Sequence, residues 1–177
     1  MAANPQENDA EKSHTIAVLV ENKFGVLAKV ASLFSARGYN IDSLSVGITQ
    51  DPTVSRITLV TRGDERILEQ IRKQLGKLID TVKVMDMRGA ETVQREMVLI
   101  KVAAPKGSRA EIFQTVGIFR GRIVDISPDT IIVEITGDEV KIRAFLDILA
   151  PYGIKEIART GKAALTRGSK TLRSTKG

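Results

Sequence analysis

The sequence predicts an α+β chain built from two ferredoxin-like βαββαβ units, and three observations carry that prediction. Thr61-Arg62-Gly63-Asp64-Glu65 is echoed by Ile135-Thr136-Gly137-Asp138-Glu139, 74 positions later. In each copy a β-rich run ends in Gly-Asp-Glu and a helical pattern begins. Leu68, Ile71 and Leu75 of the first copy match Ile142, Phe145 and Leu149 of the second. A second echo, at an offset of 83, aligns Arg37-Gly38 and Asp42 with Arg120-Gly121 and Asp125. The nine-position difference falls between the second and third strands, where the first half is longer and contains Asp51-Pro52. Either echo alone could arise by chance, but both in the same order point to a duplicated unit. The third observation is that each half reads strand, helix, strand, strand, helix, strand, the split βαβ pattern.

In the first half these elements fall at about 14–20, 25–37, 40–49, 54–61, 64–76 and 79–87. The apolar run Thr15 to Val20 reads as a strand and leads into a short polar loop. Gly25 then lets the backbone turn sharply into a helix. Val26, Val30 and Leu33, with Leu27, Ala31 and Phe34, recur at helical spacing and predict one apolar face packed on the sheet. Gly38 follows as a helix-ending glycine, and Tyr39-Asn40-Ile41 opens the next strand. Leu44 to Ile48 alternates, as a sheet with one buried face requires. Asp64 is a natural N-cap for the second helix.

In the second half the elements fall at about 96–104, 107–119, 121–127, 130–136, 138–149 and 152–159, with Asp138 as the equivalent cap. Arg88 to Thr92 is a short connector. The expected division is a flexible N-terminal tail at 1–13, a first domain at 14–88, a second at 95–165, and a basic flexible tail at 166–177.

Composition removes several kinds of chemistry. The chain has no Cys, which excludes disulfides, Cys-ligated zinc and thiol nucleophiles, and its one His, His14, cannot support a His-rich metal site or a Ser-His triad. The N-terminus lacks the apolar core of a signal peptide and no run approaches a membrane span. The expectation is a cytoplasmic protein that does not engage a membrane.

The formal charge of +6 suggests nucleic acid at first sight, but its placement argues otherwise. Residues 1–13 carry a net −2 and residues 162–177 a net +5, so the body between them carries only +3. No aromatic residue falls in the middle of a predicted strand, where bases would stack on a ferredoxin-like sheet. The expectation is no nucleic-acid partner.

The segment Glu21 to Ile41 is the candidate site. The unpaired amides of a helix start can receive a carboxylate, and Asn22 and Asn40 add uncharged amide side chains at the two ends of the unit. Gly25 alone has a purely architectural explanation, and Asn22 alone reads equally well as a loop residue. As a set, with all three near the loop side of one layer, they point to a small zwitterion being held.

Pro105 to Arg109 fills the same slot in the second half without a flanking Asn; with Lys106 and Arg109 it could bind an anion by the same helix-start physics, but it reads first as a solvated basic helix start. Asp42 and Asp125 are too isolated for paired acid/base work. His14 reads as a strand-edge residue, and Met85 and Met87 as core or interface filler.

The stretches E-N-K-F-G-V-L-A-K-V, L-F-S-A-R-G-Y-N-I-D-S-L-S-V and D-P-T-V-S-R-I-T-L-V resemble the ACT domain of the acetolactate synthase (acetohydroxyacid synthase) small subunit. The later I-F-R-G-R-I-V-D-I-S and I-A-R-T-G-K-A-A-L-T-R-G resemble that family's C-terminal domain, so the resemblance spans roughly 14–168. It implies a regulatory subunit with no active site of its own and no cofactor in this chain. Thiamine diphosphate, magnesium and FAD would belong to a large catalytic partner that joins two pyruvates, or pyruvate and 2-oxobutanoate.

The small subunit would raise the partner's activity and impose feedback inhibition by valine, bound between the ACT domains of a homodimer. Carried over, Asn22 and the helix start Gly25, Val26 and Leu27 hold the amino acid from one chain, and Asn40 and Ile41 close the pocket from the other. The alternative is a free-standing amino-acid-binding ACT module that controls another enzyme or a transcription factor.

Overall fold

The computed structural model describes residues 13–172. The N-terminal tail expected at 1–13, apart from Ser13, and the last five residues lie outside that range. Fourteen elements run in order. The first six are β1 (Ser13–Glu21), α1 (Val26–Ser35), β2 (Ser43–Ile48), β3 (Val54–Arg62), α2 (Glu65–Lys77) and β4 (Thr81–Asp86). The second set is β5 (Thr92–Ala103), α3 (Arg109–Ile118), β6 (Arg122–Ile126), β7 (Thr130–Gly137) and α4 (Glu139–Leu149). A 3-10 turn (Ala150–Tyr152), β8 (Ile154–Arg159) and β9 (Ala163–Thr166) complete the elements among the described residues.

The duplication is real in three dimensions. The first sheet has the order β2-β3-β1-β4 and the second β6-β7-β5-β8, with antiparallel neighbours in both. These are two copies of the ferredoxin-like arrangement. The Gly-Asp-Glu echo does the same work twice. The Asp64 side chain accepts from the Ile67 amide at 2.8 Å, and that of Asp138 from the Lys141 amide at 2.9 Å.

One core lies between the first sheet and its helices, where Ile16, Val18 and Val20 of β1 meet Val30 and Phe34 of α1 and Ile71 of α2. Its counterpart joins Ile100 and Val133 to Ile112, Ile142 and Phe145. No helix among the described residues is long and apolar enough to cross a membrane.

The chain divides differently from the expectation at its C-terminal end. The described residues up to Val93 and those from Lys162 onward form one unit, and Gln94–Gly161 form the other. Residues 162–165, expected in the second domain, therefore belong to the first. The physical reason is visible on β1, which is buried on both faces. Ala17, on the side away from the helices, packs with Met87 and Ala164, and with the partly buried Met85 and Leu172. The described part of the expected tail is thus a strap over the first sheet, and Met85 and Met87 are its packing. The strap contains β9, and within the first unit the Arg167 amide donates to Glu91 O at 2.8 Å.

Smaller corrections follow from local bonds. Tyr39 to Ile41 precede β2 as a loop, because the Asn40 carbonyl is taken by the Thr61 hydroxyl at 2.6 Å and not by a ladder. β5 begins at Thr92, inside the expected connector. His14 lies near the start of β1, as expected, and is buried there with its Nε2 3.0 Å from Gly63 O.

Candidate functional site

At the end of β1 the chain is held by three bonds. The Glu21 amide donates to Asp80 O at 2.9 Å and the Asn22 amide to Thr53 O at 2.7 Å. Asn22 Nδ2 donates to Pro52 O at 2.9 Å. Asn22 thus pins the β2–β3 hairpin to the end of β1 with its amide nitrogen. Its Oδ1 has no partner among the described residues. Lys23 bonds Glu21 at 2.6 Å, and that contact raises the Lys23 pKa.

Gly25 stands at φ 81° and ψ −7°, the left-handed region, and α1 starts at the next residue with no side chain capping it. A helix start without a capping side chain keeps amide donors for an anion. Val26 points into the core, whereas Leu27 is 44% exposed, so the helical face read from the sequence is narrower than expected. Phe24, in the loop before it, is fully exposed.

Asn40 and Ile41 lie at the other end of α1. Asn40 is exposed and its Nδ2 donates to Asp42 Oδ1 at 2.6 Å, while Asp42 in turn pairs with Arg62 at 2.7 Å. Ile41 packs partly against the first core. The sheet register fixes how far this is from Asn22. Thr61, which holds Asn40, pairs with His14 at the start of β1, and Val54 pairs with Glu21 at its end. At ~3.3 Å per residue these rows are roughly 20 Å apart. The six site residues therefore form two groups, Asn22 with Gly25 to Leu27, and Asn40 with Ile41. A single chain does not bring the groups together, contrary to the expectation that all lie on one loop side.

Sequence reading missed an open edge. β2 is the outer strand of the first sheet, and it presents Val46 and Ile48 at 46% and 66% exposure. Their alternation with Leu44 was legible, but the position of β2 at the edge was not.

The matching slot in the second unit serves a different purpose. Arg109 donates to Ala104 O at 2.9 Å, to Ser127 O at 2.7 Å and to Pro128 O. It is a pin between loop ends, which corrects the expected solvated basic helix start. Asp125 accepts from Ser127 Oγ at 3.2 Å and Asp42 from Arg62 and Asn40, so neither carboxylate faces the other.

Two ferredoxin-like units in one chain define the class, and comparison with known proteins makes it specific. Residues 16–83 match the family described as the AHAS small subunit-like ACT domain. Residues 95–168 match the family described as the small subunit of acetolactate synthase. A probable acetolactate synthase small subunit of Methanothermobacter thermautotrophicus is 55% identical over 161 residues, covering 90% of this chain and 96% of its own. A counterpart from Archaeoglobus fulgidus is 56% identical over 157 residues, covering 89% and 98%. The solved acetolactate synthase small subunit from Thermotoga maritima matches with a TM-score of 0.81 at 44% identity, over 90% of this chain and 99% of that one.

The chain belongs to the acetolactate synthase small-subunit family. It is a regulatory subunit whose first unit is an ACT domain, and a small subunit has a large catalytic partner.

Proposed function

We propose that this chain activates the large catalytic subunit of acetolactate synthase and confers feedback inhibition by valine, which it binds as a homodimer through its ACT domains. The observation that carries this reading is the separation of the two site groups along α1. Asn22 and the helix start lie at one end, and Asn40 and Ile41 at the other. Two copies placed antiparallel about a twofold axis would set the helix start of one chain beside Asn40 and Ile41 of the other. The exposed Leu27 and the open β2 edge with Val46 and Ile48 supply an apolar surface for such pairing.

In that pocket the α1 amides receive the carboxylate of valine, and Asn22 Oδ1 accepts from its ammonium. A ligand bound only by the assembled pair selects one quaternary arrangement, and a coupling of about 1–3 kcal/mol suffices for useful inhibition. The chain has no catalytic site of its own. Thiamine diphosphate, magnesium and FAD belong to the partner, and both subunits work in the cytoplasm.

The test is to mix the purified chain with its catalytic subunit, measure acetolactate formation and titrate valine. Activation by the chain and a saturable inhibition are expected. Absence of both activation and a valine effect would overturn the proposal. Asn40→His, a change at an exposed loop position, is expected to weaken inhibition and leave activation intact.

A further inference from the structure

The face of the first sheet turned away from α1 and α2 holds a cavity of about 840 Å³. Leu19, Val54 and Met85 supply apolar floor, and Leu165 and Leu172 of the strap supply the roof. Every lining residue belongs to the first unit. This volume is within the range of small-molecule sites.

Arg56 of β3 lines the cavity and is the group whose state needs explaining. One Nη donates to Ala164 O at 2.6 Å. Its Nε is buried and has no hydrogen-bond partner. The residue is partly buried, so the deficit is local to Nε, a donor out of reach of water that the carbonyl on the other nitrogen does not satisfy. Neither acid lining the cavity supplies the rest. Glu21 is bound to Lys23 at 2.6 Å, and the Asp51 carboxylate accepts from the Thr53 amide at 2.9 Å and its hydroxyl at 2.6 Å. An Arg that only fastened the strap would need the carbonyl alone, and the orphaned Nε goes beyond that.

We propose that this cavity binds a short-chain aliphatic monocarboxylate, with its carboxylate on the Arg56 guanidinium and its chain against Leu19, Met85 and the strap leucines. Guanidinium nitrogens match a carboxylate two at a time, so Nε and a neighbouring nitrogen can both donate. The apolar floor and roof favour an aliphatic body. The lining carries Lys23, Arg56 and Lys170 against Glu21 and Asp51, a net +1 that favours one negative charge over a phosphorylated or multiply charged ligand. The site is on the opposite face of the sheet from α1 and involves none of the residues assigned to valine.

The experiment uses the labelled full-length chain without its catalytic partner, titrated into the millimolar range with 3-methylbutanoate and, separately, with the neutral 3-methylbutanamide. The readouts are the Arg56 Nε–H signal and the methyl signals of Met85, Leu165 and Leu172. Saturable shifts with the acid and none with the amide are expected. Arg56→Met should weaken the acid at least about tenfold, the loss of a charge-assisted bond. Leu165→Glu is a second variant at an exposed position (61% exposed), where an added like charge should also weaken binding.

Equal response to acid and amide, no saturable shift, or unchanged affinity in Leu165→Glu would overturn the proposal. Shifts confined to the start of α1 would overturn it too, since they would report the valine site. Valine inhibition of the holoenzyme is measured separately, so the two proposals fail independently.

Discussion

At Gly25 the backbone stands at φ 81°, and a Cβ built there would meet nothing within 4 Å. Space is not what an alanine would lack; its cost is the left-handed dihedral, about 1 kcal/mol. Gly25→Ala should therefore destabilise the first unit by about that amount. Hydrogen exchange of the β1 and β3 amides measures it, and a loss several times larger would mean that Gly25 makes a close approach absent from this structure. The turn at Gly25 was legible because a glycine between an apolar strand and a periodic helix has few other uses. The relation of Asn22 to Asn40 was not. It depends on the order β2-β3-β1, which sets Asn40 beside the beginning of β1 and Asn22 beside its end. The role of Arg56 was equally hidden, since an Arg in an alternating strand gives no sign that a distant strap will offer it a carbonyl.

Helix α2 shows local rules holding without help from tertiary structure. Asp64 caps it, Leu68, Ile71 and Leu75 face the core, and Lys77 closes its last turn. All of this was readable from spacing. On its outer face Arg72 donates to Glu69 through two nitrogens at 3.0 and 2.7 Å, and Lys73 lies 3.5 Å away. The Arg72 hydrogen bonds, aided by Lys73, take the Glu69 carboxyl down from 4.5 to about 2. A carboxylate depressed on folding adds stability that is present above its unfolded value. That stability is lost as pH falls from about 4.5 to about 2. Because the pair is exposed, salt should weaken it. Carbon-detected titration is expected to give a Glu69 midpoint near the bottom of that window, moving up in Arg72→Gln and with added salt. An ordinary midpoint in the unmodified chain would contradict the contact. By contrast β9 escaped the spacing rules. Four residues, Ala-Ala-Leu-Thr, carry no periodicity, and their partners are supplied by sequence far upstream.

For the whole molecule, the consequence is that the first unit is not contiguous in sequence. The chain leaves it at Val93, builds the second unit, and returns at Lys162. The duplicated halves were legible because each repeats its own caps and core positions. The return was not, because Lys162, Arg167 and Lys170 read as a solvated basic tail by charge alone. What holds the return is Ala164 packed on Ala17 and Met87, and the Arg56 bond to the Ala164 carbonyl. Ending the chain after Gly161 removes both. It uncovers the second face of β1 and exchanges the Arg56 bond to Ala164 O for water, a net loss of roughly 1.5–3 kcal/mol for the charged hydrogen bond alone. The damage should be confined to one unit. Hydrogen exchange in the truncated chain is expected to quicken across β1, β3 and β4 and to stay unchanged in β7 and α4, whose core contains no residue beyond Gly161. Equal quickening in both units would mean that the halves share one cooperative transition. No quickening in β1 would mean that the strap adds nothing to the sheet it covers.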